Sequence, residues 1–381
     1  MVPELDLSDP AVLHDPFATY GALREKSPVA RLLAPGFGSM WAVLRHAEAR
    51  ELLADPRFGP SSASYLRPDV PEHCRPYLRT MQEVGGDEHL RLRRTVAPAF
   101  TPRRAEDFRA RVARIVDRLL DALPDGPVDL LEHFARPLPV EVICELVGVP
   151  GADRPRWHSY AATIATGAGP AFAEALPSAI EDAQGTVARA RVAPGDDLVT
   201  DLLRTDLSEV DTVTLVWHLV LAGQTPANLV ANAVEALLTH PEQLAAVRAE
   251  PALAPKAVEE ALRWCGPQPL TVPRFGTEDA EIGGVRIPEG EPVTVVIAAA
   301  NRDPRVFPDP DRFDVTREPG AQHLSFAHGP HFCLGASFAR VQTEVAISAL
   351  LGRFPDLALA GPVERAPDPG TWRPVALPVR R

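Results

Sequence analysis

Phe326-Ala327-His328-Gly329-Pro330-His331-Phe332-Cys333-Leu334-Gly335 is the stretch on which the reading of this chain turns. One thiol stands between two glycines, and an apolar-periodic segment, Ala336 to Leu351, follows at once. Cys333 therefore lies where a loop enters a helix. Unpaired backbone N–H groups and the positive end of the helix dipole favour a thiolate there over a thiol. Gly329 and Gly335 let the backbone approach a flat ligand and bend around it, where a Cβ would interfere. Two plainer readings compete. A free cysteine is often a small buried hydrophobe. Alternatively, His323, His328, His331 and Cys333 belong to a zinc site. Zinc ligands normally come as short paired units with a second half elsewhere, and Cys74, Cys144 and Cys265 each stand alone.

Bulk properties narrow the class. The 381 residues, 45% of them hydrophobic, suffice for one large core or two fused subdomains. Four scattered cysteines fit a reducing cytosol better than a disulfide framework. The net charge of -12, from 39 basic and 51 acidic residues, argues against a general nucleic-acid or anionic-membrane surface. Met1-Val2-Pro3-Glu4-Leu5-Asp6 has neither the basic start nor the apolar run of a signal peptide. The longest strongly apolar stretch, Val293 to Ala300, falls far short of the roughly 20 residues a membrane span needs. The expectation is a soluble, cytoplasmic protein with no membrane and no nucleic acid among its partners.

No long-period repeat is present, which excludes a solenoid. The pattern predicts a helix over 10–26, a hairpin over Val29 to Leu44 around Pro35-Gly36-Phe37-Gly38, and helices over 46–54 and 87–97. Asp107 to Leu123 is amphipathic, with arginines at 109, 111, 114 and 118 whose plain reading is a solvated face. A helix over 138–147 ends at Gly148, the small-residue region 161–193 is poorly specified, and one long helix runs from about Asp211 to Thr239. After a helix from Pro255 to Arg263, residues 270–297 switch to period two, with Gly283-Gly284 and Glu289-Gly290 as turns. A proline-rich meander over 303–319 leads to the cysteine loop.

The Cys333 stretch closely resembles the haem-thiolate loop of the cytochrome P450 family. There a phenylalanine, a glycine, a histidine, the ligand cysteine and a second glycine recur at this spacing. Ala327 departs from it, since the family usually has glycine at that place. The helix-rich order is similar to that of the soluble bacterial class over essentially the full length. The resemblance implies a mainly α fold: one P450 domain over 1–381, with a minor β-sheet subdomain from about 28–45 and 270–300 and a haem-thiolate loop at 323–335. It further implies haem b (iron protoporphyrin IX), with Cys333 as the axial ligand of the iron and Phe326 and Gly335 against the cofactor.

Weaker signals gain meaning beside that resemblance. Glu260-Ala261-Leu262-Arg263 puts a carboxylate and a guanidinium one turn apart on one face, an arrangement that usually decorates a wet surface. It matches the family's Glu-x-x-Arg pair, and Arg312 in Pro310-Asp311-Arg312-Phe313 matches the arginine that completes a buried triad. For the haem propionates the family pattern points to His89, Arg93, Arg274 and His323, and arginine suits bidentate carboxylate binding. Arg91, Arg94, Arg103 and Arg104 offer a patch for an acidic ferredoxin.

The distal motif departs further. The family's central helix usually carries Ala-Gly, a variable residue, an acid and then threonine. Here Leu221-Ala222-Gly223-Gln224-Thr225-Pro226-Ala227-Asn228 is one residue shorter. The preferred register aligns Thr225 with the oxygen-contacting threonine and Gln224 with the acid; the other puts Thr225 at the acid and Pro226 at the threonine. Neither supplies a carboxylate, and glutamine can orient a water but not release a proton. Ala222, Gly223, Leu270, Val272, Thr371 and Trp372 are expected around the substrate, with segments 60–80 and 160–185 closing over it. Core packing is the plainer reading of Leu270 and Val272. The implied activity is a monooxygenase that hydroxylates or epoxidises a small organic substrate, a secondary metabolite, using O2. Its electrons come from a ferredoxin or flavodoxin with its reductase, because no flavin or nicotinamide domain fits this length. Oxidative coupling of aromatic groups is one alternative. A non-catalytic P450-like accessory protein is another, although such relatives lose the cysteine or the Glu-x-x-Arg pair.

Overall fold

In a computed structural model of the chain, residues 2–64, 69–165, 170–318, 320 and 322–381 are described. Helices dominate, and the described strands form three small sheets. None of the described helices is long and apolar enough to cross a membrane. One large hydrophobic cluster runs through the helices. A smaller one, including Val29, Val43, Leu52, Phe58, Val293 and Val295, lies between the main sheet and the His46–Ala54 helix.

The predicted hairpin is present: Val29–Ala34 and Gly38–Val43 pair antiparallel, from Val29 opposite Val43 to Ala34 opposite Gly38. Pro292–Val295 adds parallel to the second strand, Arg274–Gly276 pairs antiparallel with it, and Phe58–Gly59 closes the far edge. This sheet fixes Arg274, which lies opposite Val293 and is buried.

Two expectations about helices need correction, both for local reasons. Residues 10–26 form two helices, Pro10–His14 and Pro16–Lys26, because Asp15 caps the second, accepting from Ala18 N at 3.0 Å ahead of Pro16. The long distal helix is likewise two, Glu209–Ala222 and Pro226–Thr239. Pro226 has no N–H to continue the first and is well placed to start the second. Gly223 at the break is required by packing: a Cβ there would meet the Ile143 side chain at 2.9 Å. The poorly specified region contains Arg154–Ala165 and a 23-residue helix, Pro170–Val192, joined by Arg156–Asp182 and Arg189–Asp153 ion pairs at 2.8 and 2.6 Å.

The Ala254–Cys265 helix carries the Glu-x-x-Arg pair into the interior. Glu260 and Arg263 side chains are only 4% and 3% exposed, joined by two bonds of 2.7 Å. Arg263 also donates to the carbonyls of Asn301, Pro310 and Arg312, and the Asp314 N–H donates to Glu260 at 2.9 Å. The third arginine is Arg317, not Arg312. Arg317 Nε reaches both Glu260 oxygens at 3.3 Å, whereas the Arg312 side chain is 63% exposed and lies 3.7 Å from Asp314. Arg312 takes part through its backbone, its carbonyl accepting from both Arg263 and Arg317. The meander turns between the two arginines, so the later one points inward.

Arg317→Ala leaves the Glu260–Arg263 pair in place but removes donors to Glu260 and to three meander carbonyls, so the unfolding free energy is expected to fall by about 2 kcal/mol. Arg312→Ala should stay within about 0.5 kcal/mol of the native protein, as an exposed side chain does. Urea unfolding of the two variants beside the native chain checks this.

Candidate functional site

Cys333 sits two residues before Gly335, the cap of the Ala336–Arg353 helix. Its N–H donates to the Phe326 carbonyl at 2.8 Å, which closes the loop on itself. Backbone geometry explains the glycine at 329. Its φ is +73°, and a Cβ would meet the Leu53 carbonyl at 2.6 Å, where the loop rests on the end of the His46–Ala54 helix. Gly335 is different: its φ of -80° suits any residue, and a Cβ would meet no protein atom within 4 Å. The space in front of it is what glycine preserves.

Cys333 keeps an exposed edge, yet its sulfur is closely surrounded. Burial pushes its pKa above that of an ordinary thiol, against the N–H groups of Gly335 and Ala336 and the guanidiniums of Arg93 and Arg340. Desolvation opposes the helix dipole here, and a cation bound at the sulfur would favour the charged form.

Beside the loop, three of the four expected rim residues come together. His89 and Arg93 lie on the Gly86–Val96 helix, and Arg93 Nη2 donates to the Phe332 carbonyl. Arg274 donates to the Leu53 carbonyl at 3.0 Å. The fourth member is His331, which stacks on His89 with ring centroids 4.1 Å apart. Burial and the charges of His89, Arg274 and Arg93 push the His331 pKa down to about 3. His323 does not join them. Its Nδ1 accepts from the Ser325 N–H at 3.2 Å, and its Nε2 faces Glu259 at 3.2 Å. His331 was legible all along as the histidine two before Cys333.

These donors suit a flat, dianionic cofactor. Two guanidiniums and two imidazoles converge beside the thiol, and bound carboxylates would offset the repulsion between the two cations and accept from the imidazole N–H groups. A zinc site finds no support, because no cluster of three or more His, Cys, Asp or Glu suited to a metal ion occurs among the described residues.

On the distal side Ala222 is exposed, and Gly223, Gln224 and Thr225 are partly so. Thr225 Oγ1 donates to the Ala222 carbonyl at 3.2 Å. Leu270 is bridged to Val296, and Val272 is 42% exposed, so core packing does not hold Val272. Thr371 Oγ1 donates to Asp368 at 2.6 Å. Trp372 is a correction. Its ring packs on Phe17 at 5.3 Å and under Arg365 at 4.3 Å, in a cavity of about 740 Å³ that includes Trp264 and Cys265 but nothing from 221–225 or 323–335. Within the expected covering segments, residues 65–68 and 166–169 lie outside the described residues. The Glu72–Leu78 turn of the first segment is pinned to the distal helix by Trp217 Nε1, which donates to the Tyr77 carbonyl at 3.1 Å.

Comparison with known proteins bears on this arrangement. A family model described as Cytochrome P450 matches residues 196–359. Cytochrome P450 monooxygenase PikC of Streptomyces venezuelae is 41% identical, over 96% of this chain and 91% of that protein. A mycinamicin IV hydroxylase/epoxidase of Micromonospora griseorubida is also 41% identical, over 90% and 89%. Among solved structures, the cytochrome P450 enzyme CxnD for C–S bond formation in chuangxinmycin biosynthesis superposes with a TM-score of 0.88 at 34% identity. It covers 100% of this chain and 97% of that one.

Ala327 holds φ at +60°, a left-handed conformation that costs an L-residue about 1 kcal/mol. Ala327→Gly is expected to raise holoprotein stability by about that amount, and Gly329→Ala to lower it by at least as much. Urea midpoints of the two variants test the pair.

Proposed function

The chain belongs to the cytochrome P450 family, and from that membership we propose that it hydroxylates or epoxidises a small secondary metabolite with electrons from a ferredoxin or flavodoxin and its reductase. It is a P450 monooxygenase, and its cofactor is haem b. The observation that carries the reading of the site is the convergence of His89, Arg93, Arg274 and His331 beside the Cys333 thiol. Hydroxylase and epoxidase names among the relatives support the reaction type.

When bound, the haem supplies dioxygen activation and oxygen insertion. The chain's part is placement. Cys333 would present the sulfur to the iron, Arg93, Arg274, His89 and His331 would hold the propionates, and Phe326 and Gly335 would lie against the ring. Glu260, Arg263 and Arg317 keep the meander and the helix under the loop in register. Ala222, Gly223, Leu270, Val272 and Thr371 shape the substrate space. Thr225 Oγ1 donates its hydrogen bond to the Ala222 carbonyl, which leaves its oxygen free to accept from a water. The Gln224 amide orients that water, and solvent is the source of the proton.

A second reading is oxidative bond formation between substrate groups. The missing distal carboxylate favours it, as does the likeness to an enzyme for C–S bond formation. Incubation with a surrogate ferredoxin system and a panel of macrolactones and aromatic peptides separates the two: a product gaining one oxygen supports the first, one losing two hydrogens the second.

Reduced native protein under carbon monoxide should show the band of sulfur-ligated iron, and Cys333→Ser should lose it; retention in the variant rejects Cys333 as the ligand. Thr225→Ala should lower product formed per electron pair roughly fivefold, as loss of one ~1 kcal/mol hydrogen bond does. Gln224→Glu, which adds an acid, should raise it. Unchanged coupling in both variants rejects the chosen register.

A further inference from the structure

We propose that Glu259 is a positioning residue that fixes the Arg340 guanidinium behind the Cys333 loop and so sets the reduction potential of the bound haem. The inference rests on Cys333 as the axial ligand. Glu259 and Glu260 are adjacent on the Ala254–Cys265 helix and serve different partners. Glu260 fastens the meander, whereas Glu259 faces the cysteine loop.

Arg340, on the Ala336–Arg353 helix, meets Glu259 as a fork: Nε to Oε1 at 2.5 Å and Nη2 to Oε2 at 3.1 Å. His323, at the other end of the loop, reaches Oε2 from Nε2 at 3.2 Å. Because His323 Nδ1 accepts from the Ser325 N–H, its proton resides on Nε2 and points at Glu259. One carboxylate thus gathers donors from both ends of the loop. Burial pushes Glu259 up, but the bonds from His323 and Arg340 outweigh it and hold the pKa at about 2, so Glu259 stays charged.

The cation it holds is close to the sulfur's surroundings. The Arg340 guanidinium lies 4.6 Å over the Phe326 ring, and the Phe326 carbonyl accepts the Cys333 N–H at 2.8 Å. Arg93 stands at Phe332 on the other flank, and no carboxylate pairs with it among the described residues. Arg93 would be answered there by a haem propionate, whereas Arg340 has no carboxylate partner but Glu259 among the described residues. An uncompensated cation beside a redox centre favours the form with the extra electron. Glu259 offsets Arg340 and keeps the potential low. Its side chain is 45% exposed, so salt should weaken the effect.

The test is the ferric/ferrous midpoint of holoprotein by spectroelectrochemical titration, with the carbon monoxide band recorded alongside, for Glu259→Gln, Glu259→Asp, Arg340→Gln and the Glu259→Gln/Arg340→Gln double variant. Glu259→Gln should shift the midpoint upward and Arg340→Gln downward. The double variant and Glu259→Asp should lie near the native value, and the single-variant shifts should shrink as ionic strength rises. An unchanged midpoint in Glu259→Gln, or shifts of one sign in both single variants, overturns the proposal. Should Glu259→Gln lose haem, Arg340→Gln alone decides: a fall supports it, no change overturns it. Absence of the sulfur-ligated band from the native protein would reject the ligand itself, whereas unchanged midpoints with that band intact reject only the role of Glu259.

Discussion

The buried carboxylate of Glu260 is the constraint on which the rest of this structure depends. At 4% exposure it is tolerated only because it is fully engaged, by Arg263, by Arg317 and by the Asp314 N–H. Those partners come from a helix and from a meander that has no regular structure of its own. Their convergence gives the meander one shape, and the chain leaving it enters the cysteine loop. The scaffold is thus ionic where the sequence is least regular and apolar where it is helical.

A second electrostatic theme is the use of arginine. Lysine occurs only at Lys26 and Lys256, and the cations that organise the interior are guanidiniums. Arg302 is held between the rings of Phe17 and Trp264 at 4.1 and 4.6 Å, Arg340 over Phe326 at 4.6 Å, and Arg365 over Trp372 at 4.3 Å. A planar, weakly hydrated cation can stack and donate at once, which an ammonium does poorly. Buried cations here are packing units as well as charges.

Much of this was legible in the residues. The hairpin, the 46–54 helix, the Gly148 stop and the period-two stretch each rest on local rules of turn, cap and alternation, and they hold. The cysteine loop was legible because its residues act through backbone and spacing. Errors arose where side-chain direction decides. Arg312 and Arg317 are five apart in an irregular meander, and no periodicity tells which points inward. His323 and His331 both flank the loop; only the spatial placement of His89 and Glu259 separates them. Trp372 was read by position towards the substrate, but the Phe17 and Arg365 side chains draw its ring to another cavity. The distal break was half visible, since Pro226 announces a kink, while the Ile143 contact that demands Gly223 comes from a distant helix.

That break also limits how this chain can change. One residue inserted within the following helix, Pro226–Thr239, ahead of Asn232 would turn the rest of it by about 100° and advance it about 1.5 Å. Asn232 on that helix donates to the carbonyls of Cys265 and Trp372, both at 3.0 Å, and receives Arg365 at 2.8 Å. The insertion would carry Asn232 away from all three at once, leaving an amide at 1% exposure unsatisfied. The lock around Asn232 therefore fixes the register of the second distal helix, so changes in length fit only at the break ahead of Pro226.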